Sequence, residues 1–347
     1  LARGSWAREW HDEASAHAAN FWGSNGAARQ RAVAVRETLG YPRRVSSGAT
    51  SDSAPKGLGQ GTALVLFAAT CWGSWSLLFR PTELSGAVTA PIVFVLIALG
   101  SALPMWREHK RLAPKWTRSV VLMLLAYSFF DALNAATFFS AMNITTVAVA
   151  VLTHDLAPVL VALVSPHVDG VRVKAAYPAA FIALLGVVLL LEPWREGALG
   201  GDVMLGALLG GISAVAYAFN VFLGRRLSIA VGPFTALGAH SFLAAVLLLP
   251  LAGSELLQIE ARDVPYLLIA GFGPGLLAGA AFLRGVALIG SARAAILAFL
   301  EPLIACIVGF LFFHERLGWF GLLGGLLILG AGVLVTRSGE SNERSSP

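Results

Sequence analysis

The sequence predicts an all-α integral membrane protein, with ten transmembrane helices laid out as two inverted five-helix repeats. Composition is the first observation behind this. Of 347 residues, 56% are hydrophobic and 13% charged, with a mean hydropathy of +0.72. Soluble domains carry about 25% charged residues. Several apolar runs exceed the roughly 18 residues that mark a spanning helix, and none alternates as a barrel strand does. An internal repeat is the second observation. Shifted by 144 without a gap, Ala136 meets Ala280, Phe138 meets Phe282, Pro158 meets Pro302, Arg172 meets Arg316 and Gly186 meets Gly330. Chance pairs Ala with Ala easily, but shared Pro, Arg and Gly at one offset mark a duplication. The third is the placement of Lys and Arg between the apolar runs.

Residues 1–58 come first and differ from the rest. They hold eight Lys/Arg and five Asp/Glu, and their large apolar side chains, Trp6, Trp10, Phe21 and Trp22 among them, are few and scattered. That set builds no core, so disorder is expected. There is no h-region and so no signal peptide. The chain opens on Leu rather than Met, so part of this tail is expected to be a cloning remnant or a mis-start. Ten spans follow near 61–79, 85–105, 118–142, 144–165, 175–192, 203–223, 233–252, 264–289, 292–313 and 317–336. Each is long enough to cross a hydrocarbon core of about 30 Å at 1.5 Å per residue. Short connections predict that sequence neighbours pack as antiparallel hairpins.

With the N-terminus inside, the inner loops and C-terminal tail, from Arg107 to Arg344, hold twelve Lys/Arg; the outer loops hold four, Arg80, Arg195, Arg262 and Arg316. Twelve against four places both termini in the cytoplasm. Five spans per half is odd, so the halves run in opposite directions, as in many secondary transporters. The division is then a cytoplasmic tail at 1–58, a first repeat at 59–196, a second at 197–337 and a cytoplasmic tail at 338–347. The net charge of +5 points to cytoplasmic loops rather than nucleic acid. Cys71 and Cys306 both fall inside spans, so no disulfide framework is implied.

Cys71-Trp72-Gly73-Ser74 in the first span resembles the Trp-Gly-Ser segment opening members of the drug/metabolite transporter superfamily. Glu301-Pro302, His314-Glu315-Arg316-Leu317 and the Gly-rich last span are similar to the second repeat of its EamA-like permeases. The likeness covers roughly residues 60–336, and makes each five-helix half an EamA-like repeat. The first half departs from it: Ala157-Pro158 stands for Glu301-Pro302, and His154-Asp155 for Ala298-Phe299. The resemblance implies a ten-helix carrier, often an exporter of amino acids or other small metabolites. It also implies a central cavity lined by the third, fourth, eighth and ninth helices among others.

Polar groups at mid-membrane are costly, so they are the candidate pathway residues. These are Asp131 and Asn134 in the third span, His154 and Asp155 in the fourth, Glu301 in the ninth and Trp72 in the first. Ser128, Asp131 and Asn134 share one helical face, which makes Ser128 and Asn134 the expected partners of the Asp131 carboxylate, with His154 across the hairpin. Asn220 and His240 lie at similar depth. Each has a plainer reading. Glu301 can hydrogen-bond backbone freed by Pro302; Asp131 and Asn134 can be an interhelical contact; His240 reads first as a packing histidine. His154 and Asp155, being adjacent, point about 100° apart. Pro158 and Pro302 each remove a backbone donor and clash with a carbonyl four residues back. Those carbonyls belong to His154 and Ala298, so paired helix breaks are expected there, where transporters bare backbone to substrate. Gly206/Gly210, Gly271/Gly275/Gly279 and Gly321/Gly325 read as close-packing faces.

Other motifs fail. His314-Glu315 begins like a zincin, but residue 318 is Gly. Asn143-Ile144-Thr145 matches a glycosylation sequon in a minimal turn. No P-loop, dinucleotide fingerprint or GxSxG elbow is present. The expected activity is therefore not enzymatic. It is proton-coupled export of an amino acid or amine-like metabolite by alternating access, in a bacterial inner membrane. No cofactor, metal or nucleic acid is expected, and a homodimer stays open. A carrier of sugar-linked or phosphorylated metabolites, or a membrane sensor or scaffold, are the alternatives.

Overall fold

The computed structural model describes residues 57–195, 200–314 and 318–342. The expectations for residues 1–56 and for Glu315, Arg316 and Leu317 fall outside them. Among the described residues nine helical segments are long and apolar enough to cross a membrane. They are α1 (Leu58–Thr82), α2 (Gly86–Leu112), α3 (Arg118–Ile144), α4 (Val147–Asp169), α6 (Val203–Val231), α7 (Pro233–Gln258), α8 (Val264–Ile289), α9 (Ser291–Phe312) and α10 (Trp319–Arg337). A shorter apolar helix, α5 (Ala176–Leu191), lies between α4 and α6. Large apolar side chains on the outer faces stand open, Leu99 at 65% and Phe181 at 67% among them. In water such a surface would aggregate; in lipid it is solvated. The protein is a multi-pass membrane protein.

Local chemistry sets the helix ends. Thr117, Thr146 and Asp202 cap α3, α4 and α6, their side-chain oxygens accepting from Val120, Val149 and Leu205 N–H. Such caps satisfy donors that have no partner inside the helix. The buried Glu108 of α2 caps another helix, its carboxylate accepting from Thr235 N–H at 2.8 Å and Thr235 Oγ at 3.0 Å. That puts a negative charge at the positive end of α7.

Sequence neighbours do not form the main packing pairs, contrary to the hairpin expectation. The broadest contacts join α2 to α7, α3 to α6, α1 to α8 and α5 to α10, followed by α4 to α6 and α1 to α9. The reason lies in where the small residues sit. Gly186 of α5 lies against the Gly324 backbone of α10, and Gly271 and Gly275 of α8 against Leu96 and Ile97 of α2. Gly210 of α6 meets Thr153 of α4. Helices in lipid associate where backbones can approach closely, and those faces point across the halves.

Contacts between loops sort into two groups. Asp202 N–H donates to Ile144 O at 3.1 Å and Thr145 Oγ to Gly200 O at 2.7 Å. These join the α3–α4 turn to the residues before α6. Ser85 before α2 bonds Glu255 at the end of α7. The other group gathers at the opposite helix ends. Asp169 at the end of α4 pairs with Arg225 of α6 at 2.8 Å and accepts from Ser291 N–H of α9 at 3.2 Å. Strand β1 (Val171–Val173) pairs antiparallel with β2 (Glu340–Asn342).

Candidate functional site

α6 carries Ser213, Tyr217 and Asn220 at i, i+4 and i+7, one stripe on a helical face. α3, packed against it, brings Asp131 and Asn134. Two polar networks result. In the first, Asn220 Nδ2 donates to Asp131 Oδ1 at 2.9 Å, and His240 Nε2 of α7 meets Asp131 Oδ2 at 2.9 Å. His240 is 2% exposed and Asp131 19%. The ring is fixed on both sides: Tyr127 stacks on it at 4.1 Å and Phe94 meets it edge-on at 6.1 Å. In the second, Ser213 Oγ–H donates to Asn134 Oδ1 at 2.7 Å and meets His154 Nδ1 at 2.8 Å. A hydroxyl has one proton to give. Having given it to Asn134, Ser213 accepts from His154, whose proton is therefore on Nδ1. Phe138 and Tyr217 flank the His154 ring at 4.7 and 5.3 Å.

The expected partners of Asp131 are corrected by this arrangement. Ser128 Oγ turns back to Leu124 O at 2.8 Å, Asn134 bonds Ser213, and His154 belongs to the second network. On a helix, a hydroxyl one turn away finds its own i−4 carbonyl nearer than a neighbour's carboxylate. The partners of Asp131 come instead from other helices.

Asp155 and Glu301 form a third group. Glu301 lies within Coulomb range of Asp155, and Tyr217 within range of Glu301, Asp155 and Asp131 alike. Asp155 Oδ2 is buried without a hydrogen-bond partner. Among the described residues the Glu301 carboxylate has no hydrogen-bond partner either, so it does not close on backbone freed by Pro302. Both residues sit at interruptions. The helix of α4 stops at His154 and resumes at Ala157; that of α9 stops at Ala298 and resumes at Leu300. The capping residues there, Asp155 and Phe299, are related by the offset of 144. The breaks lie just ahead of Pro158 and Pro302, where ring and carbonyl would collide.

Trp72 stands apart from these charges. Its indole N–H donates to Pro274 O of α8 at 3.0 Å, and its ring tilts against Phe282 at 5.1 Å. Pro274 lies inside a π-helical stretch, Gly271–Ala278. The neighbouring Gly73 presses on the break in α9, where a Cβ would stand 2.6 Å from Glu301 O. The Trp-Gly pair thus joins α1 to α8 and α9. Asp131, Asn134, His154, Asp155, Tyr217 and Glu301 are all partly exposed at mid-helix. Ser213, Tyr217 and the pairing role of His240 escaped the sequence reading. The polar stripe on α6 was visible as one-face spacing; the α3–α7 pairing was not.

Comparison with known proteins gives a consistent picture. The model of the EamA-like transporter family matches residues 204–337. The chain is 30% identical over 285 residues to an uncharacterized transporter of Archaeoglobus fulgidus, covering 79% of this chain and 95% of that protein. It is 25% identical over 251 residues to the uncharacterized transporter YxxF of Bacillus subtilis, covering 66% and 74%. A crystal structure 17% identical in sequence superposes with a TM-score of 0.66, over 80% of this chain and 97% of its own. That last likeness speaks to the fold alone.

Proposed function

This chain belongs to the EamA-like transporter family of the drug/metabolite transporter superfamily, and on that premise we propose that it is a proton-coupled exporter of an amine-bearing metabolite. It works by alternating access in a bacterial inner membrane. The carrying observation is the set of half-open polar groups at mid-helix on α3, α4, α6 and α9, against the closed apolar packing around them. Asp155 Oδ2 is an acceptor buried without a hydrogen-bond partner, beside the second carboxyl of Glu301, and an ammonium donor would satisfy it. That favours a cationic amine, on an amino acid or a simple amine, over an anionic sugar-linked or phosphorylated cargo.

Ten crossings in two inverted halves fit this reading. The α3–α4 turn bonds the residues before α6, so if α4 crosses, α5 has to cross back. The helix pairing maps onto itself when the halves are exchanged: α2–α7 and α5–α10 are kept, α1–α8 swaps with α6–α3, and α4–α6 with α9–α1. The Lys/Arg distribution supports cytoplasmic termini.

Asp131 is the proton site in this reading. It is the mid-helix carboxylate that ties three helices together while 19% exposed. The test uses the purified chain in vesicles with an imposed pH gradient, offered a panel of labelled amines and amino acids. Wild type should concentrate at least one of them. Asp131→Asn should lose that accumulation yet still exchange label between equal pools. Accumulation by Asp131→Asn at the wild-type level refutes the assignment. Absence of flux for the whole panel favours a sensor or scaffold.

A further inference from the structure

The ring of His240 has only one way to satisfy its contacts. Its Nδ1 lies 3.0 Å from Ala236 O. A carbonyl oxygen accepts and never donates, so Nδ1 carries a proton. The other nitrogen, Nε2, lies 2.9 Å from Asp131 Oδ2. A bare ring nitrogen and a bare carboxylate oxygen would set two lone pairs against each other at that distance. One proton therefore stands between them, on Nε2 as imidazolium facing carboxylate, or on Oδ2 as acid facing neutral imidazole. Either way the pair is neutral, and it binds one proton more than a free carboxylate beside a neutral imidazole.

Resting on the proton-coupled reading above, we infer that Asp131 and His240 hold the coupling proton jointly, and that this proton clamps the two halves of the carrier together. The hydrogen bond it makes joins α3 of the first half to α7 of the second. When the proton leaves, carboxylate and imidazole lone pairs repel and that bond is lost, with no other atom moved. Asp131 then keeps Asn220 of α6 on Oδ1, while Oδ2 is freed. The half-open carboxylate is the port, and the buried ring is the holder. Tyr127 and Phe94 pack against the face and edge of the ring, so the repulsion that follows proton loss bears on α3 and α7 rather than on a free side chain. The side chains able to charge around the pair are Tyr127 of α3, stacked on the ring, and Tyr217 of α6, within Coulomb range of Asp131. Phe94 is what α2 sets against the ring, and it brings no charge. Asn220 Oδ1 is buried without a partner, so the third member of the cluster has an unused acceptor. His240 is thus a positioning residue for the proton, not a packing residue.

The test needs no substrate, because the proton is the ligand. Infrared difference spectra are recorded across pH on the full chain in lipid nanodiscs, with isotope-labelled aspartate and histidine. Asp131→Asn identifies the Asp131 carboxyl signal and His240→Gln the ring signal. In wild type both signals should follow one pH profile. Replacing either partner should displace the other's profile by at least about one pH unit, the signature of interacting sites. The shared wild-type profile stands even if one variant folds poorly, since each signal is also read in the intact pair. Two separate profiles in wild type, or a profile that ignores loss of its partner, overturn the proposal. The vesicle assay separates this from the reading beneath it. If Asp131→Asn abolishes accumulation while His240→Gln transports with the wild-type pH profile, the joint site falls and Asp131 stands. If Asp131→Asn still accumulates, both fall.

Discussion

Gly73 fills a place that admits no side chain. A Cβ there would stand 2.6 Å from both Glu301 O and Ile304 Cβ. The first of these is backbone at a helix break and cannot swing aside. Gly73→Ala should therefore cost about 1–3 kcal/mol, as overpacking does, read as a lower unfolding midpoint in detergent titration. A wild-type midpoint would mean that α1 and α9 have slack there. Ser213 is the opposite case, a small residue valued for its hydroxyl. Ser213→Ala leaves Asn134 Oδ1 and His154 Nδ1 facing a methyl group. A stability loss of about 1–3 kcal/mol is expected for the stranded groups, whereas Ser213→Thr, which keeps the hydroxyl, should restore much of it. Equal stability of the Ala and Thr variants would deny the hydroxyl its bridging part. The sequence displayed most of these polar residues but not their pairing. Asp131 with Ser128 and Asn134 one turn away looked self-contained, because spacing along one helix is all that a single chain displays. Its true partners sit 89 and 109 residues away on α6 and α7, and no local pattern encodes that.

At the scale of elements, the helices themselves were plain from hydropathy, and the breaks in α4 and α9 from their prolines. The π stretch of α8 was hidden. It holds Gly271, Gly273, Pro274 and Gly275, a run that equally suits a tight packing face. Trp72 supplies an N–H to Pro274 O within it. Trp72→Phe keeps most of the ring's contact with Phe282 and removes that donor. It should cost about 1–3 kcal/mol if the carbonyl is left stranded, and hydrogen exchange should rise first in α8. Unchanged exchange in α8 would assign Trp72 to packing alone. The three-residue strands β1 and β2 escaped the sequence reading because so short a segment has no periodicity to detect.

The whole molecule poses the question of sidedness. Single cysteines at Lys110 and Arg262, in a background lacking Cys71 and Cys306, test the orientation with a reagent that cannot cross the membrane. The Lys/Arg balance predicts labelling at position 262 from outside the cell and at 110 only after the membrane is opened. The reverse pattern would invert the orientation, and labelling of both from one side would break the odd number of crossings, α3 to α7, between them. Asp169, Arg225 and Ser291 then mark the cytoplasmic ends of α4, α6 and α9, and Ser85 with Glu255 an external contact between α2 and α7.

The pairing of Val171–Val173 with Glu340–Asn342 closes six successive helices, α5 to α10, into a loop whose two ends are stitched by backbone. A fluorescent protein, affinity handle or immobilising surface attached just beyond residue 342 would pull on that stitch, and through it on the connection leading into α5. A handle placed elsewhere leaves that backbone pairing unloaded.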